Sequence, residues 1–133
     1  MSLVVDSSVL VAALLDTGPD GAWAEQVIDG RALYAPELVR VEAMNILRRL
    51  ERAKRITTPE ANAAQDDLMQ LGIELFSFEA FADRIWELRR TVTSYDGWYV
   101  AVAEALEFPL ATLDEHLAAA DGPKCKFLTP GSR

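Results

Sequence analysis

Apolar residues recur along this chain in two alternating ways, as short unbroken runs and as longer stretches at helical spacing. The alternation predicts strands separated by helices. Leu3-Val4-Val5 reads as a buried strand, followed by Ser7 or Ser8 as the cap of an apolar helix to about Leu15. Gly18, Pro19 and Gly21 punctuate the chain before a second helix over roughly 20–29, which Gly30 closes. Residues 32–35 form the next strand. Pro36 opens a long helix to about Lys54, with Val39, Ala43, Ile46, Leu47 and Leu50 as its inward stripe. Thr57-Thr58-Pro59-Glu60 is a helix-start signature with Thr58 as the cap, and that helix runs to Leu71-Gly72. Residues 73–78 alternate as a strand, 79–90 read as a helix, and another helix runs from Ser94-Tyr95-Asp96-Gly97 to Leu106. Strands at 109–112 and 125–129 flank a short helix after Asp114. Strands joined by helices imply parallel pairing with right-handed crossovers. The expected fold is therefore α/β, a three-layer α/β/α sandwich around a mostly parallel sheet. No linker, repeat or low-complexity segment interrupts it, so a single domain over 1–130 and a flexible tail at 131–133 are expected.

Asp6 is the first residue this pattern does not explain. It sits within LVVDSSVLVAALL, and an isolated buried carboxylate must be hydrogen-bonded, neutralised or bound to a cation. Other acids fall in related places. Asp114 follows the strand Leu110-Ala111-Thr112, Asp96 begins a helix, and Glu42 lies early in the long helix. In open parallel sheets the site lies beyond the carboxyl ends of the strands, which is where Asp6 and Asp114 fall. Glu42, Asn45 and Arg49 share one helix face, and Asp96 and Tyr99 repeat that relation. Each acid also has a structural reading: Asp96 and Asp114 as helix caps, Asp6 as a turn residue, Glu42 as a partner of Arg49.

Composition narrows the chemistry. The chain has 133 residues, half of them apolar, enough for one continuous core. Asp6 and Asp16 break the one stretch that approaches the roughly 18 apolar residues of a membrane span. No basic region precedes an apolar stretch at the start, so no secretory signal is expected, and the location expected is cytoplasmic. The single cysteine, Cys125, excludes an internal disulfide and a thiolate metal site. Net charge is −8, which argues against a general polyanion-coating protein. Even so, six of the thirteen basic residues fall between Arg40 and Arg55, and Arg84, Arg89 and Arg90 form a second group.

Four segments in series, LVVDSSVLVAALL, PELVRVEAMNILRRL, YDGWYVAVAEAL and LATLDEHLAAA, resemble the PIN-domain ribonucleases, and within them the VapC toxins of toxin-antitoxin pairs. The resemblance spans nearly the whole chain. It implies that Asp6, Glu42, Asp96 and Asp114 are the catalytic and metal-binding acids, with Tyr99 the aromatic three residues beyond Asp96 and Thr112 the hydroxyl supporting Asp6. Some relatives carry another acid or an asparagine where this chain has Leu117; Glu115 is a weak auxiliary.

Elementary electrostatics supports a cation. Two carboxylates about 5 Å apart repel by roughly 3 kcal/mol at an effective dielectric of about 20. A divalent ion removes that conflict, and an all-oxygen ligand set selects Mg2+, with Mn2+ as the substitute. Asp6 and Asp114 are expected to ligate directly, Asp96 directly or through water, and Glu42 through water or as a proton acceptor. Asn45, Thr112 and Ser7 are expected to orient them. The function implied is a metal-dependent endoribonuclease that hydrolyses phosphodiester bonds of a structured RNA such as a transfer or ribosomal RNA. Arg40, Arg48, Arg49, Arg52 and Arg89 are the candidate RNA contacts. The resemblance further implies a homodimer and a VapB-like antitoxin seated in an apolar groove, for which Trp23, Trp98, Leu10, Leu14 and Leu47 are candidates. The alternatives are a PIN nuclease of RNA maturation without an antitoxin, and a non-catalytic RNA-binding or regulatory module. His116, Met44 and Met69 read as bystanders or packing residues.

Overall fold

In the computed structural model, which describes residues 1–132, the first strand is apolar on both faces because both faces are covered. Leu3, Val4 and Val5 are completely buried in β1 (Ser2–Val5), as expected of a central parallel strand. The chain continues through α1 (Ser7–Leu15), α2 (Pro19–Ile28), β2 (Ala32–Pro36), α3 (Val39–Arg52), α4 (Thr58–Gln70) and β3 (Ile73–Phe76). A 3-10 turn at Glu79–Phe81 then leads into α5 (Ala82–Glu87), α6 (Ser94–Leu106), β4 (Leu110–Ala111), α7 (Glu115–Ala118) and β5 (Phe127–Leu128).

All five strands are parallel, in the order β3-β2-β1-β4-β5. Val4 is paired with Tyr34 on one side and Leu110 on the other. Helices α1 to α4 pack on one another, while α6 lies against β1, β2 and β4 and is backed by α5, which completes the three layers. Successive strands run outward from β1 in one direction to β3 and in the other to β5. The order therefore reverses between β1 and β4, and a crevice opens outside their carboxyl ends. No helix among the described residues is long and apolar enough to cross a membrane.

Several boundaries differ from the expectations. Pro36 does not open a helix; it ends β2, paired with Phe76, and α3 starts only at Val39. Its missing N–H is tolerated at a strand terminus. The cap of α4 is Thr57 rather than Thr58: Thr57 Oγ1 accepts from Glu60 N at 3.2 Å and Thr57 N donates to Glu60 Oε1 at 2.8 Å. This reciprocal pair needs three-residue spacing, which runs from Thr57. The helix expected over 79–90 is split into the 3-10 turn and the six residues of α5. The cap position of α1 is Asp6, not a serine, although its side chain makes no capping bond. The segment expected as a tail begins as a 3-10 turn, Pro130–Ser132, with Gly131 N donating to Glu115 Oε1 at 3.4 Å; Arg133 lies outside the described residues.

Candidate active site

Asp6 leaves β1 in extended conformation, and its carboxylate accepts from three hydroxyls. Thr112 Oγ1 donates at 2.7 Å and Ser8 Oγ at 3.2 Å, both to Oδ2, and Ser7 Oγ donates to Oδ1 at 3.3 Å. The strand pairing sets this up, because Asp6 N donates to Ala111 O at 3.0 Å and so brings the residue after β1 beside the residue after β4. Thr112 is fully buried, and its hydroxyl also accepts from Asp114 N at 3.0 Å. Ser8 accepts from Leu113 N at 3.4 Å. The partner that Asp6 required is thus a collar of hydroxyl donors, two from α1 and one from beyond β4.

Asp114 is a true helix cap, its Oδ1 accepting from His116 N at 2.9 Å and Leu117 N at 3.1 Å. Asp96 is not one. The cap of α6 is Thr93, whose hydroxyl accepts from Asp96 N at 3.2 Å; the Asp96 carboxylate caps no backbone N–H and touches only the Thr93 side chain in that turn. Glu42, in the first turn of α3, pairs with Tyr99 rather than with Arg49: the Tyr99 phenol donates to Oε1 at 2.5 Å.

The four acids share one electrostatic neighbourhood. Burial raises the Asp96 pKa above its ordinary value, and the charges of Asp6 and Asp114 add to the rise, against the Thr93 contact. Burial likewise raises Glu42, with Asp6 and Asp96 repelling its charge and the Tyr99 bond opposing the rise. Two half-buried carboxylates that resist ionisation beside two more are a cluster short of positive charge.

Among the described residues, no three acidic, histidine or cysteine side chains converge closely enough to share one ion. The bonds above explain this, since Asp6 is held by hydroxyls, Glu42 by a phenol and Asp114 by helix amides. The donor set nonetheless fits magnesium, which is held by one or two carboxylates and retains several waters, better than an ion needing a closed protein cage.

The remaining candidates divide. Thr112 and Ser7 touch Asp6 as expected. Asn45 is exposed on α3 and makes no hydrogen bond to the acids among the described residues. Arg40 is bound at the carboxyl end of α4, its Nη2 donating to Leu71 O at 2.6 Å. Arg89 stacks over Trp86 at 4.3 Å and donates to Trp86 O. Arg48, Arg49 and Arg52 are exposed on α3 without a partner among the described residues. Arg84 is bound bidentately by Glu104 at 2.7 and 3.0 Å. The Glu115 carboxylate accepts from Gly131 N at 3.4 Å.

Trp23, Trp98, Leu10 and Leu47 are buried in the core, so they do not line an open groove there. The groove that reaches the site is another one, about 550 Å³, bounded by Val11, Leu15, Ile46, Leu50 and Leu113, with Ser8 at its end. A larger cleft of about 1120 Å³, where Trp23 does form part of the wall, includes Met1, Arg31, Pro109 and Lys126, at the amino ends of the strands and away from the acids.

Sequence reasoning missed Ser8, Thr93 and the Tyr99 bond. Ser8 had a local signal, a hydroxyl two residues after an acid; Thr93 had the three-residue cap spacing to Asp96.

Residues 3–123 match the PIN domain family. The chain is 35% identical over 123 residues to ribonuclease VapC9 of Mycobacterium tuberculosis, covering 92% of this chain and 94% of that protein. It is 36% identical over 125 residues to ribonuclease VapC1 of the same organism, covering 93% and 94%. Among solved structures, VapBC2 from Rickettsia felis, bound to a DNA fragment from its promoter, has a TM-score of 0.66 at 15% identity, covering 97% of this chain and 98% of that one. At that identity the likeness speaks for the fold.

Proposed function

From the premise that this chain belongs to the VapC branch of the PIN domain family, we propose that it is a magnesium-dependent endoribonuclease toxin held in check by a cognate antitoxin. The observation that carries the reading is that Asp6, Glu42, Asp96 and Asp114, brought from four parts of the chain to the sheet's switch point, lie near enough for their charges to oppose one another's ionisation. A bound Mg2+, or Mn2+ in its place, supplies an activated water and charge neutralisation at the phosphate. Asp6 and Asp114 would hold it, with Asp96 completing the shell directly or through water. Thr112, Ser7 and Ser8 fix the Asp6 oxygens so that they need not reorganise. Glu42 would orient the attacking water or accept its proton. Water adds at phosphorus and the bond to the 3′ oxygen breaks, leaving a 5′-phosphate and a 3′-hydroxyl.

The substrate is a structured cytoplasmic RNA with an exposed loop, since unpaired bases are what sequence-specific RNA readers engage. The antitoxin segment would lie in the groove of Val11, Leu15, Ile46, Leu50 and Leu113 beside Ser8, presenting a cation to the acids. A second copy of the chain completes the assembly. The test is cleavage of a defined RNA by purified protein with Mg2+ or Mn2+. Asp6→Asn should reduce the rate by orders of magnitude while circular dichroism stays unchanged. An undiminished rate would take Asp6 out of the mechanism.

A further inference from the structure

Tyr99 is buried in α6, yet its hydroxyl leaves the core to bond a carboxylate on α3. A glutamate in the first turn of a helix has several rotatable bonds, and Glu42 is repelled by both Asp6 and Asp96. Unrestrained, it gains by swinging out to water. Tyr99 has two side-chain torsions, its ring is fixed in the main core cluster, and its oxygen carries one proton to give. That proton goes to Oε1 of Glu42, which leaves Oε2 free for a cation or its water.

We infer that Tyr99 is a positioning residue, a fixed hydrogen-bond donor that aims the Glu42 carboxylate into the acidic cluster. The inference rests on the nuclease reading above. Phenylalanine at this position fills the same ring volume and removes only the phenol oxygen, with its bond to Glu42 and its weaker contact with Ser7, so orientation is separable from packing.

The experiment titrates Mn2+ calorimetrically into the full chain as wild type, Tyr99→Phe, Glu42→Gln and the double variant, alongside RNA cleavage and thermal unfolding. Loss of such an outer partner commonly weakens metal affinity by about tenfold or more. Tyr99→Phe should therefore weaken Mn2+ binding by about that factor and lower kcat similarly, with KM for RNA unchanged. In the Glu42→Gln background the same substitution should have no further effect on Mn2+ affinity, because the carboxylate it aimed is gone. Unchanged affinity and kcat in Tyr99→Phe, or an equal loss in both backgrounds, overturns the positioning role. A drop in melting temperature alone does the same, by assigning Tyr99 to packing. If wild type neither binds Mn2+ nor cleaves RNA, the nuclease reading falls and takes this inference with it.

Discussion

Asp96 and Glu42 are harder to ionise in the folded protein than in the unfolded chain, because burial and neighbouring carboxylates oppose their charge. Between their ordinary values, 3.8 and 4.5, and their raised folded values, the folded state binds more protons than the unfolded one. Stability from these two groups therefore rises as pH falls through the window and is lost as pH climbs out of it. Glu104 runs the other way: burial raises its pKa, but the Arg84 bonds and the Lys124 amide together more than compensate, so its contribution is present at neutral pH and lost in acid. Comparing wild type with the Glu42→Gln/Asp96→Asn double variant cancels that background. In metal-free buffer, lowering pH from neutral toward the ordinary carboxylate values of 4.5 and 3.8 should raise the wild-type melting temperature relative to the variant, and the double variant should be the more stable at pH 7. Parallel melting curves across that range would show that the acids do not strain one another. The sequence revealed these acids because a carboxylate within an apolar run or beyond a strand end is conspicuous. It hid the Tyr99 bond, since the partners are 57 residues apart and a tyrosine at helical spacing reads as core.

Elements were legible where their signals were local and ambiguous where a partner decided the outcome. β1, α1, α2 and α6 sit within about a residue of expectation, because apolar period and flanking polar residues agree. Pro36 reads equally as a helix opener and a strand end, and only pairing with Phe76 selects the strand. Gly21 read as punctuation, yet it lies inside α2, where a Cβ would come 1.8 Å from the Asp16 carbonyl oxygen. The α1–α2 elbow is thus closed tightly enough to exclude any side chain. Gly21→Ala should destabilise the fold by about 3 kcal/mol, at the upper end of overpacking costs, because a backbone atom must move. Gly72→Ala, with nothing within 4 Å of the new methyl, should cost little. Urea denaturation of both variants checks the pair, and equal midpoints would mean that the elbow opens freely.

The whole molecule poses a different question: how a chain of net charge −8 would hold a polyanion against an acidic cleft. Parallel order was legible from strand and helix alternation, and with it the edge where Asp6 and Asp114 both lie; which cations stay available was not, because that depends on long-range contacts. Arg40 is spent on the end of α4 and Arg84 on Glu104, while Arg48, Arg49 and Arg52 remain exposed on the helix that carries Glu42. At the helical rise, Arg49 lies about 10 Å along the axis from Glu42, a distance that suits phosphates flanking the scissile one. Reversing all three to glutamate should raise KM for RNA at least about tenfold and leave kcat at saturating RNA nearly unchanged. Three lost contacts to a single strand should also flatten the log–log salt dependence of binding by roughly two. Arg40→Ala, by contrast, should act on stability and leave the salt slope alone. An unaltered slope in the triple variant would place the RNA on another face of the protein.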